Sequence, residues 1–224
     1  MLTGGAGQRA LDRAFEDVFG VPRAFAAVPM AGRTDPLIIQ DACTRHAVTV
    51  DGRRTELLQR YFDHLARELP RNAPGKRVLP GVVPLLDALR AEEGTILALL
   101  TGNLAVSAQL KLEEFDLWHY FETGAYGDDA PERNGLVPVA VRRAVERGHA
   151  PVPPERIVVI GDTPHDIACA RAAGARSLGV APGSATTAEL EAAGADAAVP
   201  DLGRTSEVLD LLESLVGSEP RGWE

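Results

Sequence analysis

The feature that most constrains the fold is an alternation, from residue 82 onward, of short apolar runs with amphipathic helical segments. The runs TILALL (95–100) and IVVI (157–160), with weaker strand signals at 123–126, 177–180 and 197–199, separate helical patterns at 82–93, 104–115, 136–147, 166–173, 187–193 and 206–215. Short apolar strands between amphipathic helices are typical of a parallel sheet that is covered on both faces. We therefore predict an α/β fold with a doubly wound parallel sheet.

The first third of the chain predicts helices only. Apolar residues recur at helical spacing over 8–19, a Thr34-Asp35-Pro36 start opens a second helix, and 53–69 forms a third. The Pro-, Gly- and Arg-containing stretch 70–80 is typical of a linker. We predict an all-helical module at residues 8–76 and an α/β core at 77–224, with residues 1–7 belonging to the core.

Composition excludes several classes of protein. The 23 basic and 32 acidic side chains give a net charge of -9, which disfavours nucleic acid as a partner. Cys43 and Cys169 form no disulfide or metal framework, the first twenty residues lack the apolar region of a signal peptide, and no apolar run is long enough to span a membrane. We expect a cytoplasmic protein with no membrane partner, whereas nothing in the sequence indicates its oligomeric state.

Polar residues follow TILALL directly, in the order Thr101-Gly102-Asn103. Ligands of open parallel sheets gather at the carboxyl ends of the strands, and a helix N-terminus next to a hydroxyl and a glycine suits a phosphoryl group. In the alternative interpretation Asn103 merely caps the next helix. The tripeptide alone does not decide between the two.

Two carboxylates follow IVVI in the segment Gly161-Asp162-Thr163-Pro164-His165-Asp166. Thr163 as N-cap, with Pro164 and Asp166 behind it, makes an acceptable capping box, so a purely structural role explains most of the segment. It leaves Asp162 unexplained at the end of an apolar strand. We therefore favour a divalent metal site formed by Asp162 and Asp166.

A third junction contains Asp128-Asp129 and, a few residues later, Arg133. Such a stretch is usually a solvated acidic turn. Alternatively, Arg133 turns back to bind an anion that it shares with Thr101, since a guanidinium can bind two phosphate oxygens at once.

In this order the motifs resemble those of the haloacid-dehalogenase-like (HAD) hydrolase superfamily, in particular its phosphoglycolate-phosphatase-like members with a helical cap. The resemblance covers AGRTD (31–35) in the cap, Thr101 as the second motif, Arg133 near the third, GDTPHD as the fourth and GVAPGS (179–184) after it. It implies a Mg²⁺-dependent phosphatase in which an aspartate attacks phosphorus and water then hydrolyses the aspartyl-phosphate.

The chain departs from the family pattern at two motifs. The third motif usually supplies a lysine, but Lys76 and Lys111 do not stand there, so Arg133 is the expected substitute. The Asp-x-Asp first motif is absent before the cap. That strand normally lies inside the sheet, and each orphaned backbone group would cost about 1–3 kcal/mol. We therefore expect native residues ending in Asp-x-Asp upstream of Met1, and a strand or an empty slot between TILALL and IVVI.

The resemblance assigns roles to the remaining candidates. Thr101, Gly102, Asn103 and Arg133 would bind the phosphoryl group, Asp162 would hold Mg²⁺, and Asp166 would orient a metal-bound water or brace Arg133. Arg33 would reach the substrate from the cap, although a solvated arginine is the simpler interpretation. The expected activity is hydrolysis of a small phosphorylated metabolite; the alternative is a phosphate- or metal-binding protein without a nucleophile, and mutase activity also stays open.

Overall fold

The computed structural model describes residues 1–130, 132–181 and 185–217, and within them it contains nine α-helices and five strands. The helices are α1 (Ala6–Phe19), α2 (Asp35–His46), α3 (Arg54–Glu68), α4 (Val82–Ala91), α5 (Ala105–Glu113), α6 (Leu136–Glu146), α7 (Pro164–Ala172), α8 (Thr187–Ala192) and α9 (Thr205–Gly217). The strands are β1 (Ala98–Leu100), β2 (Thr123–Ala125), β3 (Val158–Gly161), β4 (Arg176–Val180) and β5 (Ala197–Val199). The α/β class predicted from the alternation is confirmed.

Helices α1, α2 and α3 form the helical module. The buried face of α1 carries Ala10, Leu11, Ala14, Phe15 and Val18, a spacing of three and four residues that places them on one side of the helix. This face packs into a cluster centred on large, fully buried side chains, namely Phe15, Phe25, Leu57, Tyr61 and Leu65. The module therefore has an apolar core of its own.

All the strand pairs in the α/β part are parallel, but they form two separate ladders. Strands β1 and β2 pair with Ala98 opposite Thr123 and Leu100 opposite Ala125. Strands β3, β4 and β5 pair in that order, with Gly161 of β3 opposite Gly179.

Helices cover both faces of the two ladders. Leu99 of β1 packs with Leu112 of α5 on one face, and Leu100 packs with Leu136 of α6 on the other. Likewise Val159 of β3 joins the cluster of α6 and α7, whereas its neighbour Val158 packs toward α4 and α9. Because side chains alternate along a strand, this division shows that the sheet is doubly wound. Clusters shared by the two ladders hold β1 and β3 in one core.

Strands β1 and β3 are each paired on one side only within the described residues. Ile160 is 38% exposed, and Ala98 is exposed as well. The prediction that IVVI is a buried strand is therefore wrong at its last residue. The physical reason is the one-sided pairing, because a central strand of a covered sheet would have a neighbour on each side.

The segment between the helical module and the core is not simply a linker. Leu2 and Arg77 form an antiparallel bridge, in which each backbone N–H donates to the other residue's carbonyl oxygen at 2.8 and 2.9 Å. The start of the chain is thereby tied to the stretch that precedes α4. The domain boundaries predicted at residues 8, 76 and 77 stay predictions. Residues 182–184 of the GVAPGS motif lie outside the described residues.

None of the helices in the three described ranges has the combination of length and hydropathy needed to cross a bilayer.

Candidate active site

The loop after β1 directs two hydrogen bonds to the Thr101 hydroxyl. The Asn103 backbone N–H donates to Thr101 Oγ1 over 3.1 Å, and the Asn103 side-chain Nδ2 donates to the same oxygen over 2.8 Å. The Thr101 backbone N–H donates to Ala125 O over 3.0 Å and so continues the β1–β2 ladder. The hydroxyl therefore lies at the carboxyl end of a parallel strand, where ligands of such sheets bind.

Helix α5 is not capped by Asn103. Its N-cap is Leu104, whose N–H donates to Asp35 Oδ2 over 2.9 Å, and the Ala105 N–H donates to Asp128 Oδ2 over 3.0 Å. The interpretation of Asn103 as the helix cap is wrong because carboxylates from distant parts of the chain bind these amides. Its side chain is left to bind Thr101.

A cavity of about 340 Å³ lies between the Thr101 loop and the helical module. All the residues predicted to bind substrate line it, namely Arg33, Thr101, Gly102, Asn103 and Arg133. Lys111, which the sequence analysis set aside, lines the same cavity. The structure thus brings three cations to one site.

The segment after β3 forms the predicted capping box. Thr163 is the N-cap of α7, and Asp166 Oδ2 accepts from the Thr163 backbone N–H over 3.1 Å and from its hydroxyl over 2.9 Å. The other oxygen of Asp166, which is 2% exposed as a residue, accepts a hydrogen bond from Arg133 Nη2. Arg133 therefore links the α7 N-terminus to the cavity that Thr101 lines.

Asp162 lies at the end of β3, exposed but close to other charges. Its pKa is raised, first by partial desolvation and then by the negative charge of Asp166, while the Met1 amine and Arg133 act in the opposite direction. A carboxyl group whose pKa is raised by a neighbouring negative charge lies where a cation would be stabilised.

The helical module reaches both strand ends through the loop of residues 31–34. A Cβ placed on Gly102 would collide with the carbonyl group of Arg33, and one on Gly32 would lie 2.7 Å from Thr163 Oγ1. The Arg33 guanidinium donates to Asp41 Oδ2 over 2.6 Å and to Pro29 O over 3.1 Å. Arg33 lines the cavity but is already paired with a carboxylate.

The acidic turn after β2 is only partly solvated. Asp128 binds the α5 amide described above, and Asp129 accepts two hydrogen bonds of 2.6 Å from the Arg143 guanidinium. The interpretation of this stretch as a solvated turn therefore holds only in part, because Asp128 is exposed but both carboxylates have specific partners.

Sequence reasoning missed Asp35 and assigned no role to Lys111. The Asp35 carboxylate is 5% exposed and accepts from Leu104 and from the Ser107 hydroxyl. No local pattern reveals this contact, since Asp35 reads as an ordinary first-turn acid of α2. Lys111 could have been noticed, because it lies on α5 about two helical turns after Asn103, which stands just before the helix.

Two sequence comparisons match parts of the chain. A family model described as HAD-hydrolase-like matches residues 135–205. A probable phosphatase, IndB of Dickeya dadantii (strain 3937), is 35% identical over 149 residues, which cover 66% of this chain and 62% of that protein. Phosphoglycolate phosphatase of Escherichia coli (strain K12) is 31% identical over 129 residues, covering 56% of this chain and 46% of the enzyme. The chain thus spans about half of the length of the latter relative and about three fifths of the former.

Solved structures match over nearly the whole length. A predicted phosphoglycolate phosphatase from Haemophilus somnus 129pt superposes with a TM-score of 0.66 at 20% identity, covering 92% of each chain. A putative beta-phosphoglucomutase from Thermotoga maritima gives a TM-score of 0.59 at 20% identity, covering 93% of each chain. The doubly wound sheet, the helical module and these matches show the fold of HAD-type proteins, and the sequence matches support a relationship to the HAD-like hydrolase superfamily. The curated relatives reported above are named as phosphatases.

Proposed function

We propose that this protein is a Mg²⁺-dependent phosphomonoester hydrolase that acts on a small phosphorylated metabolite in the cytoplasm. The observation that carries the proposal is the shared cavity of Thr101 and Arg133, a hydroxyl and a guanidinium from different strand ends. The phosphatase relatives support the reaction class. The two cysteines, both free and buried, agree with a reducing compartment.

Thr101 and Arg133 would bind the phosphoryl oxygens. Catalysis of phosphoryl transfer depends chiefly on positioning and on positive charge around the transferred group. Asp166 orients the Arg133 guanidinium by accepting a hydrogen bond from its Nη2. The Thr163 hydroxyl donates to the other oxygen of the same carboxylate and holds it in place. Gly102 lets the cap loop and the phosphoryl group approach the strand end, since a side chain there would collide with Arg33.

The residues after β3 fit a divalent ion with few protein ligands. Among the residues that the structure describes, no three His, Cys, Asp or Glu side chains form a metal cluster. Magnesium, however, usually keeps several waters and takes one or two carboxylates together with substrate phosphate. Asp162 would be the direct ligand, and Asp166, whose oxygens already accept hydrogen bonds, would take part beside it. The ion would neutralise charge on the phosphoryl oxygens.

The attacking aspartate would lie on a strand between β1 and β3, encoded upstream of Met1. The one-sided pairing of both strands and the exposure of Ile160 support this proposal. The carboxylate oxygen would form a bond to phosphorus while the ester P–O bond breaks, and the leaving alkoxide would take a proton from the second aspartate of the Asp-x-Asp motif, which would recover a proton from the water that attacks next. Water would then cleave the aspartyl-phosphate and release inorganic phosphate.

The helical module would act as a cap that closes the site. A cavity of about 340 Å³ suits a small metabolite rather than a macromolecule. Arg33 stays a candidate for substrate contact from this side, provided that its pair with Asp41 opens or that one of its nitrogens remains available.

The test compares the product of the whole coding sequence with the 224-residue chain. We expect the former to hydrolyse p-nitrophenyl phosphate with Mg²⁺, to lose activity with a chelator, and to regain it when Mg²⁺ is added back. The shorter chain should bind inorganic phosphate without turnover. Equal turnover by both chains would contradict the placement of the nucleophile, and absence of phosphate binding would contradict the site.

A phosphate-binding protein without catalysis is the second candidate. It is favoured by one observation: among the described residues that line the cavity, Asp35 supplies the only carboxylate, and its Oδ2 already accepts hydrogen bonds from Leu104 and Ser107. Phosphate binding without turnover in both chains would select this candidate.

A further inference from the structure

Lys111 is a buried cation whose role neither the motifs nor the comparisons assign. It lies on α5, is 9% exposed, and its Nζ donates to Asn103 Oδ1. A Cβ built on Gly7 of α1 would lie 3.4 Å from Lys111 Nζ, so helix α1 closes over the ammonium group. Burial lowers the pKa of Lys111, and the charge of Asp35 partly opposes this shift.

The ammonium group fixes the orientation of the Asn103 amide. A lysine ammonium only donates hydrogen bonds, so the amide atom that faces it must be the carbonyl oxygen. The amide nitrogen then faces the other way, and it donates to Thr101 Oγ1 over 2.8 Å. An amide flipped by 180° would place an NH₂ group against the ammonium.

This orientation determines what the Thr101 hydroxyl can do. Its oxygen already accepts from the Asn103 side chain and from the Asn103 backbone N–H. A hydroxyl has two acceptor lone pairs and one donor hydrogen, so both acceptor positions are used. The hydroxyl hydrogen is left for a ligand in the cavity, and an anion that only accepts fits it.

The charges of the cavity distinguish Lys111 from the two arginines that line it. Arg33 contacts the Asp41 carboxylate and Arg133 contacts the Asp166 carboxylate. The hydrogen bond of Lys111 is instead to a neutral amide. The charge of Lys111 is therefore not neutralised by a carboxylate at hydrogen-bond distance, and it polarises the Asn103 amide that donates to Thr101. Hydrogen bonds in such chains strengthen one another.

We infer that Lys111 is a positioning residue that acts through Asn103 to make Thr101 an obligate hydrogen-bond donor to the phosphoryl group. This inference rests on the proposed function, because it takes the anion in the cavity to be a phosphoryl oxygen. The inference assigns Lys111 and the Asn103 amide to the site, although neither of them contacts the substrate.

The test is a double-mutant cycle on the binding of inorganic phosphate, measured by calorimetry in the presence of Mg²⁺. Lys111→Met should weaken binding by about tenfold or more, the scale of one hydrogen bond to a charged group. In a Thr101→Val background the same change should alter affinity less than twofold. Asn103→Ala should weaken phosphate binding as much as Lys111→Met does. The variant that carries both substitutions should bind phosphate no more weakly than either single variant. Lys76→Met, at the other lysine, is the matched control and should bind phosphate normally.

Two outcomes would overturn the inference. Unchanged affinity in Lys111→Met shows that the lysine does not position the donor, and additive effects with Thr101→Val show that it contacts phosphate directly. Absence of phosphate binding in the unmodified chain would instead overturn the proposed function. In that case the Asn103 side-chain NH₂ signals in ¹⁵N NMR still decide: they should shift in Lys111→Met, and unchanged signals would refute the positioning role.

Discussion

Asp35, in the first turn of α2, accepts the backbone N–H of Leu104 at the start of α5 over 2.9 Å, although 69 residues separate the two in the chain. The Asp35 backbone N–H in turn donates to Gly102 O over 2.7 Å. A residue of the helical module thus caps a helix of the α/β part and holds the loop that carries Thr101. The position of the helical module and the shape of the Thr101 loop are coupled through this pair.

Replacing Asp35 with alanine should loosen this attachment. The variant leaves the buried Leu104 N–H without its acceptor, which costs about 1–3 kcal/mol of unfolding free energy, whereas the Ser107 hydroxyl keeps the Leu104 carbonyl oxygen as acceptor. Denaturant titration measures the loss. Asp51→Ala, at an exposed turn of the same module, is the control and should change stability by less than about 0.5 kcal/mol. Equal stability of the two variants would show that the contact does not hold the cap.

Gly102→Ala should disturb the site by displacing the cap loop. The added methyl group would collide with the Arg33 carbonyl group, and overpacking of this kind costs about 1–3 kcal/mol. We expect lower thermal stability and weaker phosphate binding together. The control is Gly217→Ala at the end of α9, where a Cβ would meet no atom of the described residues within 4 Å. Normal phosphate affinity in Gly102→Ala would contradict the close approach of the loop.

Arg133→Ala should destabilise the fold and abolish phosphate binding. It leaves the Asp166 carboxylate, 2% exposed, without its cation, and breaking a buried pair in this way costs about 3–5 kcal/mol. Arg142→Ala removes an exposed arginine paired with Glu146 and should cost only about 0.3–0.5 kcal/mol. Calorimetry and denaturant titration of both variants provide the comparison. If Arg133→Ala lowered stability but bound phosphate normally, Arg133 would have a structural role alone.

Protonation of Asp129 should make the protein less stable in acid. Burial by itself would raise the pKa of Asp129, but hydrogen bonds from Arg143 and from the Tyr126 N–H outweigh it and hold the pKa below its usual 3.8. A lowered carboxyl pKa contributes stability that is complete above the unfolded value and is lost as pH falls through the folded one. The unfolding free energy of the wild type should therefore exceed that of Asp129→Asn by about 1.5–3 kcal/mol at pH 7. The difference should shrink below pH 4, and a pH-independent difference would refute this assignment.

The regular elements were predictable because their signals are local. The capping box of Thr163 and Asp166 follows from two side chains three residues apart, and every predicted helix and strand was found, most of them with shifted ends. The contact of Asp35 with Leu104 was not predictable, since it depends on how two modules dock. The role of Asn103 was not predictable for the same reason. An asparagine before a helix is a common N-cap, but here carboxylates from other parts of the chain bind the first amides of α5. Only the fold shows that the Asn103 amide lies between Thr101 and Lys111.

The strand edges of β1 and β3 also affect how copies of this chain behave in concentrated solution. Each edge presents N–H and C=O groups that no neighbour in the described residues satisfies, and Ile160 adds an apolar side chain beside them. Such edges are templates for pairing between molecules, so the chain should be prone to precipitation. The net charge of -9 opposes this by mutual repulsion, and added salt should weaken that protection by screening it. Dilute, low-salt buffers at a pH well above the pI are therefore the conditions in which it should stay dispersed.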